Sequence, residues 1–258
     1  MGESALVTGA TAGIGASFAR LLASKGYHVV LVARDEERLI KVSQELATDF
    51  GMTSEVLRAD LSTAVGLKLV ADRLASKTSP IGVLINNAGF GINKSFLVSD
   101  LEAEQNLLDV LVTAPMRLMH AVLPVMKEHD RGIIINVSSV AGWIAGGTYS
   151  AAKSYLTVLS ESLHTELAHT RVTVMALCPG FTRTEFHERG RMKMGGLPNF
   201  MWLSADYVVN RAWSDARRGQ ALSVPGWQYA VLSTVSRFGP RPLVRKIGMN
   251  VRKKQRHK

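Results

Sequence analysis

Near its start the chain reads Ser4-Ala-Leu-Val-Thr-Gly-Ala-Thr-Ala-Gly-Ile-Gly15, and this stretch decides the fold. A short apolar strand runs into a glycine-rich turn, after which apolar residues recur at helical spacing as far as Leu22. A strand, such a turn and a helix form a phosphate cradle, because glycines let the backbone approach a pyrophosphate and the helix N-terminus offers free N–H groups. The spacing Gly-x-x-x-Gly-x-Gly is looser than the usual dinucleotide fingerprint, so an ordinary tight turn remains the alternative.

Apolar runs of strand length alternate with helical stretches further along the chain. We predict strands at residues 28–33, 54–59, 82–85, 132–137 and 171–178. Such continuously apolar strands are typical of a parallel sheet covered on both faces. The segment from Asp100 to Met126 is predicted to be helical, with Pro115 and Pro124 as kinks or ends. With 258 residues and 47% apolar content, the chain fits one large α/β domain or two small ones.

The residues after the second strand bear on which dinucleotide would bind. An NAD site places an acid there for the ribose hydroxyls, whereas an NADP site places a basic group near the extra phosphate. Arg34 follows the strand, which favours NADP(H) over NAD(H), while the adjacent Asp35 is predicted to cap the next helix. The alternative for Arg34 is a solvated loop charge. Asp60, after the third strand, is a candidate acceptor for an adenine amino group, or else a helix cap.

A tyrosine and a lysine stand four residues apart in Tyr149-Ser-Ala-Ala-Lys153. On a helix these two side chains share one face, so both can point into the same pocket. A nearby cation would lower the pKa of the tyrosine from about 10 towards the range useful for proton transfer. Taken alone, this spacing is more often an ordinary solvated face.

The composition excludes several classes of protein. The one cysteine, Cys178, excludes a disulfide framework and lies in an apolar run, where burial in a strand is expected. No signal peptide is expected, because a strand begins almost at the start. The apolar stretch 107–126 contains Asp109, Arg117 and His120, which favours a buried helix over a membrane span.

The motifs occur in an order that resembles the short-chain dehydrogenase/reductase (SDR) family. They are Thr8-Gly-Ala-Thr-Ala-Gly-Ile-Gly15, Asp60-Leu61, Asn86-Asn-Ala-Gly89, Ser139, Tyr149-x-x-x-Lys153 and Pro179-Gly-x-x-x-Thr184. Each motif is modest evidence, and their joint order is specific. The resemblance implies an α/β fold with one Rossmann-type domain, a doubly wound parallel sheet of seven strands with helices on both faces. Residues 221–225 would then form the seventh strand.

The resemblance also implies roles for single residues. Tyr149 would be the general acid/base that protonates a carbonyl oxygen as hydride arrives, and Ser139 would hydrogen-bond that oxygen. Lys153 would hold the nicotinamide ribose and lower the Tyr149 pKa. The cofactor would also contact Gly9, Thr11, Gly13, Ile14, Gly15, Arg34, Asp60, Leu61, Asn87, Ala88, Gly89, Pro179, Gly180, Thr182 and Thr184. No metal site is expected.

Two departures from the family pattern stand out. The family has an asparagine in the long helix before the Ser139 strand, where it holds a water of the proton relay, and here the matching position is Leu111. Asn106 is five residues away, about 140° round the helix, and does not substitute for it. The interval from Ser139 to Tyr149 is also a few residues short, which would reshape the substrate mouth and leave the chemistry unchanged.

The net charge of +10 is unevenly placed. Residues 1–188 carry 16 Lys and Arg against 19 Asp and Glu, whereas residues 189–258 carry 15 against 2. In this part, residues 185–205 correspond to the family's substrate lid, with Gly195-Gly196 as hinge candidates and His187 as a candidate substrate contact. The lid residues Phe186, Leu197, Phe200, Met201, Trp202 and Leu203 are apolar, which indicates an apolar substrate or, equally, ordinary core packing.

Residues 227–258 are predicted to form a basic amphipathic extension. Trp227, Val231, Val235 and Phe238 recur at helical spacing, and basic residues crowd the end of the chain. This pattern is typical of segments that lie on anionic membrane surfaces. Its alternatives are an apolar face packed on the body or on another subunit, and a disordered tail. No nucleic acid partner is expected, because aromatic residues are not interleaved with the charges.

We therefore expect residues 1–226 to be the catalytic domain of an NADP(H)-dependent oxidoreductase. It would reduce a ketone or 3-oxoacyl group on a hydrophobic substrate, with a long acyl chain as one form, by hydride transfer with Tyr149 as proton donor. One alternative is an NAD(P)-dependent dehydrogenase of a steroid or small apolar secondary alcohol. Another is a catalytically silent NADP-binding regulator, which only Leu111 favours. We expect a homo-oligomer with a cytoplasmic location, peripheral at a membrane surface, and a role in lipid metabolism.

Overall fold

Seven parallel strands form the centre of the fold. The computed structural model describes residues 3–185, 198–240, 242, 244 and 245. Its strands are β1 (Ser4–Thr8), β2 (His28–Ala33), β3 (Ser54–Arg58), β4 (Ile81–Asn86), β5 (Gly132–Val137), β6 (Val172–Leu177), β7 (Thr182–Arg183), β8 (Leu203–Ser204) and β9 (Leu222–Ser223). The main sheet has the order β3-β2-β1-β4-β5-β6-β9, and β7 pairs with β8 in a separate small sheet. The predicted seven-stranded parallel sheet is confirmed.

Helices cover both faces of the main sheet. They are α1 (Gly13–Ser24), α2 (Glu36–Phe50), α3 (Ala64–Leu74), α4 (Leu101–Leu108), α5 (Ala114–Glu128), α6 (Thr148–Glu166), α7 (Ala205–Arg217) and α8 (Trp227–Phe238). Each face of the sheet packs on its own hydrophobic core cluster. One cluster contains Phe18 of α1 and Trp213 of α7, and the other contains Leu118 of α5 and Leu156 of α6. Along β1, Ala5 and Val7 belong to the first cluster and Leu6 to the second, as strand alternation requires.

The strand order reverses between β1 and β4. The chain builds β1, β2 and β3 outwards in one direction, then crosses back to place β4 on the other side of β1. The helices that follow β1 and β4 therefore lie on opposite faces, and a crevice opens at the carboxyl ends of these two strands. This topology brings the glycine-rich turn after β1 next to the Asn86–Gly89 stretch after β4.

The seventh strand is shorter than predicted. β9 covers Leu222–Ser223, where the sequence predicted residues 221–225, and it pairs with Ala176 and Leu177 of β6. Pro225 cannot donate to a sheet ladder, so the strand ends before it. Asp215 of α7 anchors this edge, because its carboxylate accepts a hydrogen bond from the Ser223 hydroxyl over 2.7 Å.

The long apolar helix is broken in the middle. A π-helical turn, Asp109–Thr113, separates α4 from α5, Pro115 lies in the first turn of α5, and Pro124 lies within it. The segment Leu101–Glu128 is long and apolar enough to cross a membrane by length and composition. However, Leu118, Met119 and Val122 are buried in the core. The segment is therefore a core helix of the α/β fold, as the sequence indicated.

Several sequence predictions fall outside the described residues. They concern Phe186, His187, Gly195-Gly196 and Leu197 of the lid segment, and the basic tail beyond Arg245. The described part of the predicted C-terminal extension is α8 and the few residues that follow it.

Candidate active site

A cavity of about 910 Å³ lies where the parallel strands end. Residues that follow six of the strands line it, from Gly9 after β1 to Pro179 after β6. It brings together nearly all the positions predicted for cofactor and catalysis, namely Gly9, Thr11, Gly13, Ile14, Arg34, Asp60, Leu61, Asn87, Ala88, Gly89, Ser139, Tyr149, Lys153, Pro179, Gly180, Thr182 and Thr184. These residues come from distant parts of the chain, and the ends of the strands gather them.

Gly15 is the one predicted position that does not line the cavity. It is buried in the first turn of α1, where a Cβ atom would overlap the Gly9 oxygen and the Asn87 amide. The residue therefore serves close packing of α1 on the end of the sheet. Its contribution to a cofactor site is indirect, since it lets the helix N-terminus approach the cavity.

The glycine-rich turn has the shape of a phosphate cradle. Gly9 and Gly13 have φ of 66° and 53°, a left-handed conformation that favours glycine. The N-cap residue of α1 is Ala12, which provides no side-chain hydrogen bond to the first N–H groups of the helix. Those N–H groups and the positive end of the helix dipole are therefore directed towards the cavity, where a pyrophosphate would accept from them. The cradle and the cavity fit a dinucleotide.

Asn87 ties the cradle to β4. Its side-chain amide donates to the oxygens of Thr8 and Gly9 over 2.9 and 3.2 Å. The Thr8 hydroxyl in turn accepts from the backbone N–H groups of Asn87 and Ala88. This network fixes the two strand ends at the point where the sheet order reverses. Asn87 thus acts as a brace between the loops that line the cavity.

Arg34 and Asp60 stand at the end of the cavity next to β2 and β3. The Arg34 side chain is 71% exposed, and its guanidinium lies 4.0 Å from Asp60. Burial alone would raise the pKa of Asp60, but hydrogen bonds from Ser62 and the Arg34 charge hold it below its ordinary value. Asp60 therefore carries a negative charge. Thr63 caps α3 instead, so the alternative of Asp60 as helix cap does not hold.

Asp35 has a structural role as a helix cap, as its position in the sequence predicted. It is the N-cap of α2, and its carboxylate accepts a hydrogen bond from the backbone N–H of Arg38 over 3.1 Å. A carboxylate held in this way satisfies a free donor of the helix. Arg38 itself pairs through both terminal nitrogens with Glu185, at 3.1 and 2.8 Å.

Ser139, Tyr149 and Lys153 meet at the opposite side of the cavity. Ser139 follows β5 and begins the 3-10 turn Val140–Trp143, which packs on α6. Tyr149 lies in the first turn of α6, hydrogen-bonds the Ser139 side chain, and has the Lys153 ammonium 5.7 Å from its ring centroid. The shortened interval between Ser139 and Tyr149 is therefore bridged by one tight turn.

The protonation of the pair differs from what the sequence suggested. Burial raises the pKa of Tyr149 to about 12, although the hydrogen bond with Ser139 acts in the opposite direction. Burial lowers the pKa of Lys153 to about 8. The expectation that Lys153 lowers the Tyr149 pKa is not met, because the ammonium is directed to the Val137 oxygen, 2.6 Å away. At neutral pH the phenol is protonated and the lysine is mostly charged.

Leu111 lies at the centre of the π-helical turn. It is buried with Leu107 and Ala152, and Tyr149 packs against this cluster. A Cβ on Gly89 would lie 2.7 Å from the Leu111 side chain, so the lack of a side chain at Gly89 leaves room for Leu111. The position that the family fills with an asparagine is therefore an apolar wall in this protein.

The sequence analysis missed one wall of the cavity. Four residues of α8 line it: Tyr229, Leu232, Ser233 and Ser236. The Tyr229 hydroxyl accepts from the Phe181 N–H over 2.9 Å and donates to the Met201 oxygen, which joins α8 to the loop after β6. In the sequence, the signal for this wall is the set of small and polar residues on the face of α8 opposite its apolar repeat, and this face is buried.

Known proteins carry the same arrangement of motifs. The profile of the short chain dehydrogenase family matches residues 3–194, which is most of the chain. The protein belongs to the short-chain dehydrogenase/reductase family. Because SDR proteins use NAD(P)(H) to interconvert small carbonyl and alcohol compounds, it is an oxidoreductase, as the motifs indicated.

Three SDR relatives illustrate the similarity. The putative ketoacyl reductase of the monensin polyketide synthase from Streptomyces virginiae is 37% identical over 194 residues, 72% of this chain and 73% of that protein. The very-long-chain 3-oxoacyl-CoA reductase of Laccaria bicolor is 36% identical over 180 residues, 67% of this chain and 53% of that protein. A short-chain dehydrogenase from Sphingobium yanoikuyae, solved in complex with NADPH, is 33% identical with a TM-score of 0.83, covering 90% and 93% of the two chains.

Proposed function

We propose that this SDR protein is an NADP(H)-dependent reductase of a ketone or 3-oxoacyl group on a hydrophobic substrate, such as one with a long acyl chain. The observation that carries the proposal is one cavity with Ser139, Tyr149 and Lys153 on one side and an exposed Arg34 on the other. Two relatives support the substrate class, since one is named a ketoacyl reductase and another a very-long-chain 3-oxoacyl-CoA reductase.

The preference for NADP(H) rests on Arg34. Its guanidinium stands at the end of β2, where an additional phosphate on the adenosine ribose would lie. The competing acid, Asp35, already accepts the Arg38 N–H of α2 and so is directed into the helix. Among the residues that the structure describes, the ion pair of Arg34 is the long one with Asp60, so its donors are available for a bidentate phosphate interaction. The NADPH complex of the Sphingobium relative agrees with this choice.

The bound nicotinamide would supply the hydride, and side chains of this protein would bind the carbonyl oxygen and protonate it. Tyr149, protonated at neutral pH because its pKa is raised to about 12, donates the proton to the carbonyl oxygen. Ser139 donates a hydrogen bond to the same oxygen and stabilises its developing negative charge. Lys153 holds a positive charge within the buried site and orients the ribose.

The substrate side of the cavity is apolar. The apolar residues that line the cavity include Phe90, Ile92, Val140, Ile144 and Leu232, and the first two pack in the same cluster as Tyr149. Such a wall binds a substrate because contact removes the apolar surface of both from water. Few polar groups of the wall are then available to recognise polar groups of the substrate. We infer that the group next to the carbonyl is a hydrocarbon. The wall also fits a steroid or another apolar secondary alcohol, which remains the second candidate.

One experiment tests the proposal directly. NADPH and NADH consumption is followed with a panel of ketones and 3-oxoacyl thioesters of increasing chain length. We expect NADPH to be preferred and kcat/KM to rise with chain length. Faster oxidation of steroid or secondary alcohols with NADP+ would favour the dehydrogenase alternative. Cofactor binding without turnover of any substrate would favour the silent regulator.

We also propose that the protein is a cytoplasmic homo-oligomer, since the family resemblance supports an oligomer and the single cysteine, Cys178, fits a reducing compartment. Light scattering of the full chain would measure its mass, and a monomer at micromolar concentration would contradict this assembly. A role in lipid metabolism follows if long acyl substrates are preferred.

A further inference from the structure

Helix α8 has an unusual distribution of polarity. Its inward face consists of Tyr229, Ser233 and Ser236, which are buried and line the cavity. Its outward face is apolar and exposed, with Trp227 at 75%, Val231 at 59% and Phe238 at 81% exposure. A helix of a soluble protein ordinarily buries its apolar stripe and exposes its polar residues. Helix α8 does the reverse, so its outer face is available to a partner.

The exposed residues form a continuous stripe, which we call the α8 stripe. It comprises Trp227, Val231, Val235 and Phe238, which fall within an arc of about 80° at 3.6 residues per turn. Large apolar side chains gathered in this way mark a contact surface, whereas single exposed ones need no explanation. The one charged residue of α8, Arg237, lies 3.5 Å from Glu161 of α6, and its guanidinium also stands 5.9 Å from the Phe238 ring centroid. None of the four stripe residues is itself charged, and the one cation beside them is paired with a carboxylate.

Strong positive charge follows the stripe in the chain. Residues 241–258 contain eight Lys and Arg and no Asp or Glu. An apolar stripe next to a cationic segment matches an anionic lipid surface, which accepts apolar side chains at its boundary and attracts basic residues at its head groups. Trp227 suits this boundary, because its ring is apolar and its indole N–H bonds water or head groups.

We propose that the α8 stripe docks the protein on an anionic lipid bilayer, to which the excess of Lys and Arg in the sequence 241–258 attracts the chain. Because the opposite face of α8 is a wall of the active-site cavity, the docked helix would lie between that cavity and the lipid surface. A second copy of the chain suits this face less well, because both copies carry a net charge of +10 and repel each other.

The docking proposal does not depend on the proposed function. A second idea, delivery of an apolar ketone from the bilayer into the cavity next to α8, does rest on the proposed function. Vesicle binding therefore tests docking alone, and turnover of a membrane-dissolved ketone against a short soluble ketone tests delivery.

The first test measures co-sedimentation of the full chain with vesicles of phosphatidylcholine and phosphatidylglycerol, and with pure phosphatidylcholine. We expect binding to the anionic vesicles that weakens in high salt. The double substitution Trp227→Glu and Phe238→Glu should reduce the partition coefficient about tenfold or more, because carboxylates replace the inserting rings. The matched control is Val65→Glu with Val158→Glu, two exposed apolar residues on α3 and α6, and it should bind like the unaltered chain.

The second test keeps the fold and the apolar stripe intact. Trp227→Phe should bind anionic vesicles normally but lose most of the quenching of tryptophan fluorescence by lipids brominated on their acyl chains. This readout decides the question if the double Glu variant does not fold, as judged by its melting temperature and its turnover of a short ketone.

Three results would overturn docking. They are no binding of the unaltered chain to anionic vesicles, binding of the Glu variant equal to that of the unaltered chain, and unchanged quenching in the Trp227→Phe variant. A fourth is a lower mass of the Glu variant than of the unaltered chain in light scattering without lipid, since the stripe would then be a contact between copies. If the protein reduces none of the ketones but still binds vesicles, the proposed function is refuted and the docking proposal is supported.

Discussion

The ammonium of Lys153 donates a hydrogen bond to the backbone oxygen of Val137 over 2.6 Å, which ties the first turns of α6 to the end of β5. Ser139 lies two residues beyond Val137, and Tyr149 lies one helical turn before Lys153. This bond therefore holds the part of α6 that carries Tyr149 and Lys153 against the end of β5, close to Ser139.

Reduction should slow as the pH rises through about 8. Burial lowers the pKa of Lys153 to about 8, so its positive charge is present below this pH and lost above it. Loss of the charge weakens the hold on the ribose and the support for the developing alkoxide. The measurement is the pH profile of kcat/KM with NADPH and a ketone. Lys153→Arg should remove the inflection near 8, and an unaltered profile up to pH 10 would contradict the assignment.

Tyr149→Phe should lower kcat by about 10²–10⁴-fold, the usual contribution of a positioned general acid. The change removes only the hydroxyl, so the packing of the ring against the Leu111 cluster remains. NADPH binding, measured by fluorescence, should change little. Tyr155→Phe on the same helix is the matched control, because that ring is 38% exposed and does not line the cavity. Normal turnover by Tyr149→Phe would refute the mechanism.

Arg34→Ala should weaken NADPH binding about tenfold or more and leave NADH binding almost unchanged. The reason is the loss of a charge-assisted contact worth about 1.5–3 kcal/mol with the additional phosphate. Arg20→Ala serves as the control, since Arg20 pairs with Glu45 on the surface and lies outside the cavity wall. Calorimetry with both cofactors gives the comparison. Equal weakening of the two would show that Arg34 does not select NADP(H).

Gly15→Ala should destabilise the fold by about 1–3 kcal/mol, as overpacking does in a tight core. A Cβ at this position overlaps the Gly9 oxygen and the Asn87 amide, so α1 must move away from the sheet. Gly82→Ala is the control, since its nearest neighbour would be 3.8 Å away. Urea denaturation measures both changes. A Gly15→Ala variant as stable as the Gly82→Ala variant would mean that the helix is not closely packed there.

Much of the fold and of the site could be predicted from the sequence, because single residue types and short spacings determine these features. The glycines of residues 9–15 are needed for local backbone reasons, and Tyr149 and Lys153 share a face on any helix. The Asp35 cap was likewise predictable from its place before α2. The shortened β9 was missed, although Pro225 marked its end. The cavity wall from α8 was missed because the apolar repeat of that helix was assigned to a membrane-binding extension outside the catalytic domain, whereas the opposite face of the helix lines the cavity.

By itself the sequence determined the parallel α/β fold, the SDR motifs and the identity of the residues at the site, because local spacing and strand pattern encode them. Only the tertiary structure decided how those residues are charged and which of them touch. Burial, which depends on the whole packed chain, raises the pKa of Tyr149 and lowers that of Lys153. Packing likewise removes Gly15 from the cavity, buries Leu111 with Leu107 and Ala152, and turns the apolar side of α8 outwards.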